Sequence, residues 1–212
     1  MNVVEAIYAR KSVRKFKDEV VPEEDILKML ELATQAPSPK HQQNWRFVVC
    51  TNREIIHKMA DIVTKSHERL GEMAKTEKDR KIHMSVIKYY TCFRNAPAVI
   101  IVYGSEYKMI EYKILKDNDA PQEVLDVLVS PQSAAQGIGA AVENFLLAAT
   151  EMGYGTCYMT GPTHAKLEIE KLIDFHKPGF ELMSIIALGV AEENTPPKPA
   201  RQPLEDVVTF ID

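Results

Sequence analysis

The chain has 212 residues, of which 45% are hydrophobic, and its 30 acidic side chains outnumber 26 basic ones to give a net charge of −4. This length is sufficient for one domain with a full apolar core, and the acidic balance argues against a protein whose main partner is nucleic acid. The three cysteines form no CxxC pair, so neither a disulfide framework nor a zinc site is indicated.

The cellular location is predicted from the first residues and from the longest apolar runs. The first residues lack a basic region followed by an apolar run, and no apolar stretch approaches the ~20 residues needed to span a bilayer. We therefore expect a cytoplasmic protein with a single domain over residues 1–212 and with no membrane partner.

The first half of the chain is predicted to be mainly helical, with one strand. Residues 3 to 10 indicate a short helix, and Pro22 followed by three acidic residues indicates the start of a second. That helix ends at the proline-rich stretch 36–39. After a polar loop, the run from 45 to 50 is rich in aromatic and β-branched residues, which favours a strand. Residues 53–70 and 76–93 are predicted to be charged helices.

The second half contains the most apolar elements. Residues 98–103 and 183–190 are continuous apolar runs, typical of strands buried on both faces. Between them we predict an apolar helix over about 133–152, capped by Gly153, and a strand over 156–159. Helices therefore flank a central sheet.

Two segments do not fit this pattern of helices and strands. Residues 104–130 are interpreted as a variable lid or excursion, in which Tyr107 and Tyr112, with the preceding Tyr103, offer either an aromatic face for a substrate or ordinary packing. Residues 192–212 are interpreted as an extended C-terminal arm, because four prolines between 196 and 203 prevent regular pairing inside a sheet.

Basic residues lie near both ends of the chain. The segment from Arg10 to Phe16 carries four cationic side chains and Ser12, and Arg201 stands alone before Pro203. Guanidinium groups and a hydroxyl match the oxygens of a phosphate monoester, which favours a phosphorylated cofactor. The alternative is a solvated basic face followed by an unrelated tail.

Other catalytic or cofactor motifs are not supported. The pair Gly137 and Gly139 lies inside a helix and lacks the third glycine of a dinucleotide fingerprint; small residues there favour the close approach of another helix. So apolar a helix must be buried by its own domain or by a second subunit, which suggests a dimer. The six histidines form no helical metal motif, no serine has the setting of a nucleophile elbow, and no cysteine has a sequence cue for thiolate activation. We predict no metal and no catalytic side chain.

The polar loop from 38 to 44 completes this set of features. The sequence offers groups that can bind phosphate and a polar loop, but no evident acid, base or nucleophile. This combination favours a protein whose bound cofactor carries out the chemistry itself. A solvent-exposed connector between helix and strand is the alternative interpretation of the loop.

Taken in order, these segments resemble the nitroreductase family of flavin mononucleotide enzymes. The family's basic-Ser-x-basic turn, which holds the flavin phosphate and ribityl chain, is matched here by Arg10 to Arg14. Its motif Pro-Ser-x-x-Asn-x-Gln-Pro-Trp is matched at Pro37, Ser38, Gln43 and Trp45. His41 replaces the asparagine that contacts the isoalloxazine edge, and Asn44 replaces the second proline.

Two later segments extend the resemblance. Residues 144–149 and 153–158 resemble Asn-x-x-Leu-Ala-Ala and Gly-x-Gly-Thr-Cys-Trp, which brings Met159 to Gly161 to the position where backbone amides meet flavin N5. Arg201 matches the family's terminal phosphate arginine, while a lysine often found two residues earlier is Pro199 here, with Lys198 beside it. The residues that the resemblance assigns to FMN are Arg10, Lys11, Ser12, Arg14, Pro37, Ser38, His41, Gln43, Met159, Thr160, Gly161 and Arg201.

The resemblance implies an α+β fold, a three-layer sandwich with a central, mostly antiparallel sheet flanked by helices. It also implies a homodimer with FMN at the subunit interface. The implied activity is ping-pong transfer of hydride from NADH or NADPH, through FMN, to a nitroaromatic, a quinone or a similar small oxidant.

Other functions remain open at this stage. Within the same superfamily they are reductive dehalogenation, flavin fragmentation and peptide-azoline oxidation. A flavin-binding regulatory or storage protein without turnover is a further alternative, and a nucleic-acid module using residues 10–17 is disfavoured by the overall acidity.

Overall fold

A four-stranded antiparallel sheet organises the fold. The computed structural model describes residues 1–211, with strands β1 (Trp45–Cys50), β2 (Ala98–Ser105), β3 (Gly155–Met159) and β4 (Phe180–Gly189). Their order is β1-β2-β4-β3, and every neighbouring pair is antiparallel. The α+β prediction is therefore confirmed.

Strand register follows the apolar alternation of the sequence. The two central strands pair Ile101 with Ile185 and Ile100 with Ile186, and all four side chains are buried. Since successive side chains point to opposite faces, each central strand contributes to two apolar cores. This explains why both strands have continuous apolar sequences.

Helices cover the two faces of the sheet. The helices are α1 (Val3–Ala9), α2 (Glu23–Ala33), α3 (Arg53–Gly71), α4 (Glu77–Ser85), α5 (Ile87–Tyr90), α6 (Ile110–Asp117), α7 (Gln122–Val129), α8 (Ser133–Glu151) and α9 (Lys166–Leu172). Helices α3 and α9 pack on one face, and α2 and α8 pack on the other. This is the three-layer arrangement that the resemblance implies. Among residues 1–211, none of the helices combines the length and apolar character needed to cross a bilayer.

The apolar helix α8 is buried largely by its own chain. Phe145 and Ala149 are fully buried and belong to the core shared with α2. A Cβ at Gly137 would lie 3.3 Å from Pro39 Cδ, so the close approach there is made by a loop and not by a helix. Among residues 1–211, a Cβ at Gly139 would meet nothing within 4 Å. Gly153 ends the helix with a φ of 87°, which confirms its predicted capping role.

Several boundaries differ from the predictions. The predicted helix 76–93 is broken into α4, α5 and a 3-10 turn over Cys92–Asn95, because polar α4 has no buried residue to anchor one continuous rod. Strand β2 extends into the predicted lid as far as Ser105, and the rest of the lid forms α6 and α7. The substrate-facing role considered for Tyr103 is wrong, because its side chain is fully buried and packs on Phe175.

Candidate functional site

The basic segment after α1 lies along the outer edge of β3. Val13 N–H donates to the Thr156 carbonyl at 2.8 Å, and Lys17 N–H donates to the Val190 carbonyl at 2.9 Å. Val13 is buried over Gly155, where a Cβ would lie 2.7 Å from a Val13 methyl group. Its neighbours Ser12 and Arg14 therefore project toward solvent, since side chains alternate along extended backbone.

Cations from opposite ends of the chain meet beside this edge. The Lys198 ammonium donates to the Ile7 carbonyl at 3.0 Å, at the end of α1. Its pKa is lowered by partial loss of solvent and by the nearby positive charges of Arg10 and Arg201. An opposing charge comes from Glu143, whose Oε1 lies 3.4 Å from Arg10 Nε. The structure therefore brings the two predicted basic ends together, with Lys198 close to both Arg10 and Arg201.

The C-terminal arm is held in place near this cation cluster, formed by Arg10, Lys198 and Arg201. Lys11 Nζ donates to the Thr195 carbonyl at 3.2 Å, and Glu192 N–H donates to the Lys15 carbonyl at 3.2 Å. These bonds explain how a segment rich in proline keeps one path along the basic segment.

A cavity of about 210 Å³ separates the basic segment from the turn that follows β3. Its lining includes Arg14 and Tyr89 together with Met159, Thr160 and Gly161. The Arg14 guanidinium lies 5.4 Å from the Tyr89 ring centroid. Two segments predicted to bind the same ligand, far apart in sequence, therefore line one cavity.

Gly161 allows a very close approach of the α5 side chain Tyr90. A Cβ at Gly161 would lie 2.2 Å from Tyr90 Cε1, well inside van der Waals contact. A second, more open cavity of about 600 Å³ shares Tyr90, Thr160 and Gly161 and also contacts the ion pair of Lys166 and Glu181, which are 2.7 Å apart. The turn after β3 therefore separates two cavities.

The loop predicted to meet the isoalloxazine edge has a strained backbone. Lys40, His41 and Gln43 all have positive φ, between 47° and 55°, although none is glycine. Each such residue costs on the order of 1–3 kcal/mol and persists only where its surroundings hold it. Ser38 Oγ accepts from Gln43 N–H at 3.0 Å, and Gln43 Nε2 lies 3.2 Å from His41 Nε2, so the predicted residues of this loop contact one another.

This strained loop is tied to the lid by direct bonds. Gln42 donates to the Lys108 carbonyl at 2.8 Å and accepts from Lys108 N–H at 2.9 Å, while Lys40 pairs with Glu111 at 3.1 Å. The buried Asn44 donates to the Glu106 carbonyl at 2.9 Å. A shift of the lid would therefore displace the loop.

The loop does not reach the 210 Å³ cavity of its own chain. Within residues 1–211, the residues lining that cavity come from the basic segment, α5 and the end of β3. Pro37 and Ser38 instead pack near Gly137 of α8. The predicted residues thus form two separate groups, with Pro37, Ser38, His41 and Gln43 apart from the rest.

A histidine cluster lies beneath Tyr90. The rings of His67 and His83 stack with centroids 3.8 Å apart, and each Nε2 hydrogen-bonds the other residue's carbonyl, at 2.8 and 2.9 Å. His164 Nδ1 lies 3.0 Å from Ser66 Oγ. Burial, followed by the neighbouring His67 and His83, lowers the pKa of His164. Protonation of His164 is therefore disfavoured.

Sequence reasoning missed Tyr89 and Tyr90 at the 210 Å³ cavity. They lie in the stretch predicted as one helix, where an uninterrupted rod would give no reason to single them out. The Pro97 that follows the 3-10 turn was a signal that the helical pattern could not continue to the next strand.

Comparisons with known proteins agree with this geometry. The model of the nitroreductase family matches residues 7–190. A protein of Archaeoglobus fulgidus, provisionally named NADH dehydrogenase/NAD(P)H nitroreductase, is 27% identical over 88% of this chain and 84% of its own length. A protein of the same name from Methanothermobacter thermautotrophicus is 44% identical over 62 residues, which are 29% of this chain and 32% of that protein. An iodotyrosine deiodinase of Hydra vulgaris is 27% identical over 96% of this chain and 71% of its own.

Solved structures extend the likeness to the whole fold. A BluB-like flavoprotein from Clostridium difficile 630 superposes with a TM-score of 0.92 at 37% identity, over 100% of both chains. A nitroreductase with bound FMN from Bacteroides fragilis has a TM-score of 0.72 at 22% identity, also over 100% of both chains, which is a likeness of fold. The family match over residues 7–190 and the full-length likeness at 37% identity lead to one conclusion: the chain belongs to the nitroreductase family.

Proposed function

We propose that this protein is an FMN-dependent oxidoreductase that passes reducing equivalents from NADH or NADPH to a nitroaromatic, a quinone or a similar small oxidant. The observation that carries the proposal is the meeting of Arg10, Lys198 and Arg201 from opposite ends of the chain, at the start of a basic segment whose Arg14 lines a cavity together with Gly161. The protein would act as one domain over residues 1–212, with a lid at 104–130 and a C-terminal arm at 192–212.

The cation cluster fits a phosphate monoester. Arg10 and Lys198 lie near the carboxylate of Glu143, and Arg201 adds a third positive charge near Lys198, so the charge of the cluster exceeds that of this acidic partner. A dianion would offset the mutual repulsion that lowers the pKa of Lys198, and guanidinium groups bind phosphate oxygens in pairs. We assign Arg10, Lys11, Ser12 and Arg201 to the phosphate and ribityl chain of FMN.

The turn after β3 fits the reactive edge of the ring. Thr160 and Gly161 of this turn line both cavities, and their amides would steady flavin N5. When bound, FMN supplies hydride acceptance and donation at N5. The chain would position the ring through the residues that line the cavity, among them Arg14 and Met159.

A second copy of the chain would complete this site. The 210 Å³ cavity is smaller than the 300–1,000 Å³ of pockets that enclose small ligands, and Pro37, Ser38, His41 and Gln43 lie outside it. In a homodimer this loop would close the partner's cavity. Exposed apolar side chains support an interface, among them Tyr8 on α1, 77% exposed, and Phe210 on the arm, 88% exposed.

One pocket would serve both half-reactions. The sequence contains no second nucleotide-binding fingerprint, so nicotinamide would stack directly on the flavin and leave before the oxidant enters. We therefore expect ping-pong kinetics. We also propose that the enzyme is cytoplasmic and has no nucleic-acid or membrane partner.

The first experiment is an anaerobic absorption scan of protein reconstituted with FMN, before and after NADH and NADPH are added in turn. Rapid bleaching of the flavin spectrum by either nucleotide is expected and identifies the donor. A spectrum that persists with both nucleotides refutes the proposed donor, and failure to bind FMN refutes the proposed function.

A pair of double variants tests the phosphate assignment. Arg10→Ala with Arg201→Ala should be purified without flavin, because two of three phosphate-directed cations are lost. Arg80→Ala with Lys81→Ala removes the same charge from exposed positions of α4 and should retain FMN. Full flavin occupancy in the first variant contradicts the assignment.

His41→Asn should bind FMN but alter its reduction potential, measured by dye equilibration.

The likeness to iodotyrosine deiodinase favours reductive dehalogenation as a second candidate. This chemistry would use the same site, with the α6–α7 lid selecting a halogenated aromatic substrate. Iodide release from 3-iodotyrosine by the chemically reduced, FMN-loaded protein, measured with an iodide electrode, would support it. Equal iodide release from free reduced FMN would count against it.

A further inference from the structure

Two of the three cysteines meet in space although 65 positions separate them. Cys92, on the 3-10 turn after α5, lies with its Sγ 3.7 Å from Sγ of Cys157 on β3. The same Cys92 sulfur lies 3.3 Å from Met159 Sδ. Both cysteines are reduced thiols, and the third, Cys50, is buried on β1 with its Sγ 3.8 Å from the Asn52 carbonyl. One cysteine pair therefore has the proximity that a disulfide requires, and the third cysteine is an internal control.

The surroundings of the pair give its two members different roles. Cys157 lines the 210 Å³ cavity, on which Arg14 also lies. The hydrogen bond from Cys92 and the positive charge of Arg14 lower the pKa of Cys157, against the effect of burial. The same hydrogen bond and burial raise the pKa of Cys92. Cys157 is thus the better nucleophile; it is only 3% exposed but lines the cavity, whereas Cys92 is half-buried and does not line it.

We propose that Cys92 and Cys157 form a peroxide-reactive dithiol, in which Cys157 is oxidised first and Cys92 resolves it as an intramolecular disulfide. The Cys157 thiolate attacks one oxygen of hydrogen peroxide, an S–O bond forms and the O–O bond breaks, and the departing hydroxide takes up a proton. The Cys92 thiol then loses its proton and attacks the sulfenic sulfur, which releases a second water. Two thiols are oxidised and one peroxide is reduced to two waters.

The geometry permits the second step without rearrangement of the sheet. The sulfurs must close from 3.7 Å to the bonded distance of about 2 Å. Cys157 is fixed in β3 by its pairing with Ala187, so most of the movement falls to Cys92 on its short turn. Cys157 lines the cavity that we propose for the flavin ring, but the oxidation uses only the two thiols and peroxide and does not rest on the proposed flavin chemistry.

Peptide mapping tests the proposal directly. The full-length protein is treated with hydrogen peroxide, denatured in excess N-ethylmaleimide, digested and analysed by mass spectrometry. We expect a linked peptide containing Cys92 and Cys157, lighter than its two parts by two hydrogen atoms and lost on reduction, with Cys50 alkylated throughout. Alkylation of all three cysteines after peroxide treatment, or a linkage through Cys50 or between chains, overturns the proposal.

Single variants test the order of events. In Cys92→Ser, Cys157 should be trapped by dimedone as the sulfenic acid, since its resolving thiol is absent. In Cys157→Ser, Cys92 should react with peroxide no faster than Cys50. Equal dimedone labelling of Cys92 and Cys157 in the two variants refutes the assigned roles. If either variant fails to fold, the wild-type linkage map still decides whether the dithiol forms.

Discussion

The contact between Gly161 and Tyr90 makes a sharp prediction. In Gly161→Ala the new methyl carbon would lie 2.2 Å from Tyr90 Cε1 and 2.3 Å from Cδ1, so the ring or the turn must move. Overpacking of this kind typically costs about 1–3 kcal/mol. We expect the free energy of unfolding, measured by urea denaturation and circular dichroism, to fall by that amount.

A double-mutant cycle separates this clash from other effects of the substitution. Tyr90→Phe keeps the ring carbons that the new methyl group would meet, so Gly161→Ala should cost as much in that background as in the wild type. Tyr90→Ala removes those carbons, so the same substitution there should cost less by at least about 1 kcal/mol, because residues in contact are non-additive. Equal costs in the Phe and Ala backgrounds would refute the steric explanation.

Three further outcomes are expected. Tyr103→Phe should raise the free energy of unfolding by about 1 kcal/mol in urea denaturation, because the Tyr103 hydroxyl is buried without a hydrogen-bond partner among residues 1–211. The control Tyr8→Phe, at an exposed position, should leave the free energy of unfolding unchanged. Burial and two neighbouring imidazoles lower the pKa of His164, so the unfolded state binds more protons than the folded state as the pH falls below about 6.5. Stability should therefore decrease with acidification in a pH series of urea melts, and the decrease should be smaller in His164→Gln. Gln42→Ala should increase the rate of amide hydrogen exchange at Lys108 by roughly five- to tenfold, because the two hydrogen bonds between Gln42 and Lys108 contribute about 1 kcal/mol to local stability. An unchanged exchange rate would show that the loop and the lid are not coupled there.

Much of the sheet could be predicted because burial is encoded locally. The central strands have continuous apolar sequences that match their burial on both faces, and β1 has the aromatic and β-branched character of a strand. The meeting of Arg10 with Arg201 was also predictable, because the basic segment near one end and the lone Arg201 near the other suggested a shared anion. In each case the residue types themselves indicate what they contact: apolar side chains a core, and cationic side chains an anion.

Other features could not be read from local sequence. The left-handed backbone at Lys40, His41 and Gln43 is imposed by surrounding contacts, since none of these residues prefers it. Cys92 and Cys157 meet only because the 3-10 turn packs against β3, which spacing along the chain does not reveal. Full burial of Tyr103 follows from its position on β2, at a register shift in its pairing with β4, and not from its residue type.

The cation cluster also constrains the order of events during synthesis. The bond from Lys11 to Thr195 joins residues 184 positions apart, and that from Lys198 to Ile7 joins residues 191 apart. Closing such long loops carries a large entropic cost and is associated with slow folding. On the ribosome, Arg10 emerges long before Lys198 and Arg201 exist. Capture of an anion by all three cations must therefore follow completion of nearly the whole chain, and the ligand itself would then favour this last closure by mass action.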